Sequence, residues 1–147
     1  MPIKTFRGKL AMGLQKRLHL STSDGLTGYR ITKFQIMNSQ PGQLTATYIG
    51  QAFVNDQSGS ISATVDFNHS GLMAVCYVTD HANAANRFSE QIIFDKEVFN
   101  QDLYVNITDA DGGTVEANYY IELEQIKLNI NESTFATLKN IRDSKTG

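Results

Sequence analysis

The chain has 147 residues, 41% of them hydrophobic and 19% charged, with a net charge of −2. That length is most simply one domain with a self-sufficient core, and the net charge gives no general reason to expect nucleic-acid binding. A single cysteine excludes an internal disulfide, and no apolar run approaches the ~18 residues of a membrane-spanning helix.

Residues 1–15, "MPIKTFRGKLAMGLQ", are basic, have no clean alternation and contain Gly8 and Gly13. They also lack the apolar core of a signal peptide, so synthesis and folding in a cytoplasm are expected. The segment predicts an arm that is disordered in isolation. It carries Phe6, Leu10, Met12 and Leu14, which a purely solvated tail has little reason to hold. We therefore expect it to dock on an acidic surface of another subunit, with Lys4, Phe6, Arg7, Lys9 and Leu10 as the contact residues. Charge distribution supports this. Residues 1–33 hold seven basic groups against Asp24 alone, whereas the rest of the chain holds six against fourteen acids. Such asymmetry fits an inter-subunit contact, a nucleic-acid arm or two solvated patches.

Residues 16–21 and 28–37 read as strands joined by a turn at Asp24-Gly25, a hairpin signal. Ser39, Pro41 and Gly42 mark a loop. Residues 44–54 form the next strand, with Gly50 at a possible bulge. Ile61, Ala63, Val65 and Phe67 alternate and predict a strand over 61–67. "GLMAVCYVTD" (71–80) is almost continuously apolar and predicts a central strand covered on both faces. A loop follows ("HANAANRFS"), then a short strand over 90–95 and a corner, "KEVFNQD".

Residues 103–123 alternate on both sides of Asp109-Ala-Asp111-Gly112-Gly113-Thr114. As a calcium loop this fails: Gly113 and Thr114 occupy positions that need an oxygen donor and a glycine, and Tyr120 stands where a bidentate Glu belongs. Asp-Gly-Gly between alternating runs instead predicts a hairpin with its tip at 109–114 and no metal. The return strand changes phase, from Val115, Ala117, Tyr119, Ile121 and Leu123 to Ile126, Leu128 and Ile130. A bulge or a change of packing partner near Glu124-Gln125 is expected. "NESTFATLKNIRDS" is the one convincing helix, with Phe135, Leu138 and Ile141 at helical spacing. The organisation expected is an arm (1–15), an all-β antiparallel sandwich or jelly roll of about eight strands with a short C-terminal helix (16–143), and a loose tail (144–147).

Catalytic signatures are absent: there is no G-x-S-x-G, P-loop or H-E-x-x-H. His19, His69 and His81 are scattered. Cys76, Asp80 and His81 are close in sequence, but a buried inert thiol beside a loop histidine is the simpler reading. The pairs Glu122/Glu124 and Asp95/Glu97 read as solvating charges, and Tyr119 and Tyr120 point to opposite faces of a strand. No enzyme, cofactor or metal is expected.

The cadence of "GYRITKFQIMNSQPG", "IIFDKEVFNQDLYVNITDADGG" and "NYYIELEQIKLNINESTFATLKNIRD" resembles a family of small virion proteins of tailed bacteriophages. The resemblance touches roughly residues 16–42 and 91–142. It implies a β-rich structural component of the virion, made in the host cytoplasm, whose foremost expected role is capsid decoration: stabilising the head through contacts with the major capsid protein and other virion proteins, or with further copies of itself. A head–tail or tail component, and a carbohydrate-binding β-sandwich, are the alternatives.

Overall fold

The computed structural model describes residues 2–41, 43, 45–80, 88–94 and 97–146, with side chains as far as Lys139. The strands are β1 (Ile3–Leu10), β2 (Gln15–Leu18), β3 (Thr27–Asn38), β4 (Ala46–Phe53), β5 (Leu72–Asp80), β6 (Phe88–Ile93), β7 (Leu103–Asp109) and β8 (Ala117–Lys127), followed by one helix, α1 (Ile130–Thr146). They form two sheets, ordered β1-β8-β3 and β2-β7-β4-β5-β6, with every ladder antiparallel. The fold is an all-β sandwich with a C-terminal helix.

Its core lies between the sheets. Alternate residues of β3 (Tyr29, Ile31, Phe34, Ile36) and β8 (Ala117, Tyr119, Ile121, Leu123) meet those of the facing sheet: Leu103, Val105 and Ile107 of β7 with Tyr48, Ala74 and Cys76. The thiol of Cys76 is buried, and burial pushes its pKa well above the ordinary thiol range. It is the inert core cysteine that its apolar surroundings predict. Gly50, across from Cys76, is not at a bulge. A Cβ there would lie 2.9 Å from Cys76 Sγ and 3.1 Å from Phe34 Cζ, so the missing side chain lets the sheets approach. The irregularity in the β4–β5 ladder falls at Ala52/Phe53.

Several expected connections are corrected. β7 and β8 do not form a hairpin: β7 pairs with β2 and β4, β8 with β1 and β3, and residues 110–116 carry the chain between sheets. The turn chemistry at its start is as expected, with Gly112 at φ 80° and its N–H donating to Asp109 O at 3.0 Å. The turn continues past the sheet instead of folding back along it. β2 and β3 are likewise in different sheets, although Asp24-Gly25 is a turn, with Gly25 at φ 66°. Alternation identifies a strand but not the sheet that receives it.

Residues 61–67 are not a strand. β4 lies between β5 and β7, so both its edges are taken, and the segment is laid over the outer face of that sheet instead. Gln51 Nε2 donates to Ser62 O (3.1 Å) and Thr64 O (3.4 Å), and Ala63 packs on Ile49, Phe53, Leu72 and Val75. This cover, with the sandwich core beneath, makes β5 the doubly buried strand that its apolar run predicts. The bulge expected in β8 near Glu124-Gln125 is not there: β8 pairs residue by residue from Ala117 to Lys127. The extra residue is Thr32 of β3, between Ile31 (paired with Leu123) and Lys33 (paired with Glu122), where the inward residues of β3 shift from Tyr29 and Ile31 to Phe34 and Ile36.

The pairs β1/β8, β2/β7 and β4/β5 are three of the four that arise when one long antiparallel hairpin is rolled into a sandwich. The fourth would be β3/β6. Here β6 stays on β5, and β3 is joined to it by Phe34 N–H donating to Gln91 Oε1 at 3.1 Å. α1 continues to Thr146, through most of the segment expected as a loose tail.

Candidate functional site

α1 begins with a reciprocal cap. Glu132 N donates to Asn129 Oδ1 at 2.8 Å, and Asn129 N donates to Glu132 Oε1 at 3.2 Å. Two otherwise orphaned amides are satisfied this way. The helix is then held to the sandwich through polar groups. Ser133 Oγ donates to Gly25 O at 2.7 Å. Asn100, fully buried, donates from Nδ2 to Gly25 O at 3.0 Å and to Thr137 Oγ1 at 2.9 Å. Lys139 pairs with Glu97. A Cβ on Gly25 would sit 3.0 Å from Ser133 Oγ, so glycine serves both the turn's positive φ and the helix's close approach.

The inward residues of α1 are Ser133 and Ala136. Its large apolar residues point the other way: Ile130 is 75% exposed, Phe135 70% and Leu138 61%. An amphipathic helix ordinarily turns that stripe to the core. Here small and polar residues make the docked face, and the apolar stripe faces water. Ile141, the next residue of the stripe, lies outside the described side chains.

The five expected contact residues all lie on β1, which is an integral strand and not a free arm. It pairs along its whole length with β8, from Ile3↔Glu124 to Leu10↔Ala117. Lys4, Phe6, Gly8 and Leu10 alternate inward; Ile3, Thr5, Arg7 and Lys9 face out. Leu10 belongs to the core, Phe6 packs against it, and Lys4 Nζ lies 5.5 Å from the Phe6 ring centroid. Gly8 obscured the pattern in sequence. Its missing side chain accommodates Tyr119, whose Oη would be 3.0 Å from a Cβ there. Arg7 and Lys9 are exposed, and among the described residues neither has an ion pair. They lie in rows with Tyr120 and Gln35, and with Asn118 and Met37. These rows border a cleft of about 770 Å³ that β6 closes with Ser89, Glu90 and Gln91.

The other candidates for chemistry are engaged in holding the fold. Asp109 Oδ1 accepts from Thr47 N (3.1 Å) and Asp111 N (2.9 Å), and Asp111 Oδ2 accepts from Thr47 Oγ1 (2.8 Å). Among the described residues no group of three or more His, Cys, Asp or Glu could hold a metal ion. Glu124 pairs with Arg30 at 2.5 Å, and Glu122 accepts from Thr32 Oγ1 at 3.2 Å. His81 and Asp95 lie outside the described residues. Tyr119 is buried and Tyr120 half-exposed on the opposite face, as their parity predicts.

Asp102, which sequence reading passed over, is a buried junction. Its Oδ1 accepts from Leu20 N (2.8 Å) and Ser21 N (2.9 Å), and Oδ2 accepts from Arg17 Nε (2.6 Å). Burial alone would raise its pKa. The two backbone amides and the guanidinium outweigh burial and bring it down to about 2. A carboxyl lowered from ~3.9 in the unfolded chain stabilises the fold fully above about pH 4, and that stabilisation is lost as pH falls through about 2. We expect stability to fall by about 2 kcal/mol over that window. Asp102→Asn should flatten this part of the pH profile in urea titrations followed by circular dichroism; an unchanged slope would contradict the assignment.

No protein-family model matches the chain, and comparison with curated proteins found no match. Among the described residues, no helix is long and apolar enough to cross a membrane.

Proposed function

We propose that this protein is a structural subunit of a bacteriophage virion, an auxiliary protein decorating the head, and that α1 is its principal contact surface. The observation that carries the reading is the outward apolar stripe on a helix fixed by Ser133, Asn100 and Lys139. The three side chains offer on the order of 400 Å² of apolar surface, the scale of patches that mark interfaces. The resemblance of residues 16–42 and 91–142 to small phage virion proteins supplies the particle, and the second of these stretches contains most of α1. Arg7 and Lys9 add a basic patch suited to an acidic neighbour such as a capsid-protein surface. In this reading the β-sandwich is a rigid carrier that adds contact area across subunit boundaries.

A second reading draws on the cleft. Tyr120, Asn118, Gln35 and Arg7 at its border combine an aromatic ring with hydrogen-bonding groups, the combination that a carbohydrate-binding sandwich uses. Mass spectrometry of purified particles separates the two. A copy number in the range of the capsid proteins is the result expected for a structural subunit. Absence from particles, together with oligosaccharide binding abolished by Tyr120→Ala, would replace it with the second reading.

A further inference from the structure

We propose that the surface covering α1 is α1 of a second copy, packed antiparallel about a two-fold axis at Thr134. The inference rests on reading the apolar stripe as a contact surface, but not on the particle to which the protein belongs.

The stripe is self-complementary. Ile130, Thr134 and Leu138 follow one another at four-residue spacing, and so form a line on one helix face about 12 Å long. Reversing that line about its centre places Ile130 on Leu138 of the second copy and Thr134 on its own counterpart. Phe135 flanks the line and closes over one side. Thr134 suits the centre because its Oγ1 donates to Ile130 O at 3.0 Å. Its hydroxyl is satisfied within the helix, and a small side chain at the axis allows close approach.

Charge does not oppose the pairing. Across a two-fold axis, like charges meet, so a charged stripe would repel itself. The charged side chains between residues 130 and 139 are held elsewhere: Glu132 accepts from Asn129 N, and Lys139 pairs with Glu97. The two stripes together bring on the order of 800 Å² from the three large side chains of each copy, and flanking residues extend this toward the ~1,200 Å² at which specific interfaces begin. A two-fold contact of this kind uses the same patch on both subunits and so closes at two copies.

Sedimentation equilibrium of the full-length protein tests this directly. A dimer is expected. Leu138→Glu should weaken it at least about a hundredfold, since each dimer would bury two unpaired carboxylates, with the far-UV spectrum unchanged. Ile92→Glu, on β6, should leave the dimer intact. Thr134→Cys should form a disulfide-linked dimer on mild oxidation, because Cys76 is buried and cannot compete; Phe67→Cys should not. A monomer at all concentrations, a dimer indifferent to Leu138→Glu, or no cross-link through position 134 would each overturn the proposal. If the protein is monomeric but Leu138→Glu is lost from particles, another virion protein covers α1, and the two-fold contact fails while the function stands. A cross-linked dimer absent from particles would uphold the contact and sink the function.

Discussion

A chain lacking residues 2–14 is expected to lose its cooperative fold. β1 contributes eight paired positions to β8, and its flanks add Gln125 N to Pro2 O at 2.9 Å and Gly13 N to Ile107 O at 3.1 Å. Leu10 is buried in the core, and Phe6 and Met12 pack against it. Removing a buried leucine alone costs ~2–5 kcal/mol. Adding the aromatic packing and a strand ladder takes the loss above ~5 kcal/mol, comparable to the whole stability of a domain. The outward side of the same strand should behave differently. Arg7→Ser and Lys9→Ser together should change stability by less than ~0.5 kcal/mol, as exposed unpaired positions do, and so separate β1 as structure from β1 as contact surface. Urea unfolding of the three proteins decides the matter. A truncated chain that unfolds cooperatively near the full-length midpoint would return residues 1–15 to the status of an arm.

Phe34→Ala should lower stability by ~3–5 kcal/mol, or roughly 10–15 °C in melting temperature for a domain of this size. Phe34 is fully buried in β3, and its ring reaches toward the backbone of Gly50 in the opposite sheet. The two positions should be coupled. Gly50→Ala alone forces a methyl group to within 3.1 Å of Phe34 Cζ and 2.9 Å of Cys76 Sγ, at a cost of ~1–3 kcal/mol from overpacking. With Phe34 already alanine, one of those clashes disappears and the penalty should shrink. A double-mutant cycle on thermal unfolding would measure the difference. Strict additivity would mean that the sheets do not meet there as described.

The strands were largely legible because alternation is a local property. β7 and β8 fall where Val105 and Ile121 alternate with their neighbours, and β5 falls on the apolar run around Val75. β1 was not legible, because Lys4 and Gly8 occupy inward positions and only the position of Tyr119 explains the glycine. Sheet membership was not legible either. Asp109-Ala-Asp111-Gly112 has the chemistry of a tight turn in a hairpin and in a crossover alike, and the choice depends on β2 and β4 already flanking β7. The segment 61–67 alternates like a strand, but strand formation also needs a free edge. At the candidate site, spacing revealed the stripe of Phe135 and Leu138. Its outward direction depends on Gly25 and Asn100, distant in sequence, which draw Ser133 and Thr137 to the sandwich.

The proposed assembly of this sandwich into a phage particle runs through the apolar face of α1. Its most direct test is competition for incorporation. Wild type and Phe135→Glu, distinguished by mass, are produced together in an infected host, and their ratio is measured in purified particles against the ratio in the soluble pool. Strong depletion of Phe135→Glu from particles, with its fold intact, is the result expected. Equal ratios in particles and pool would contradict the claim.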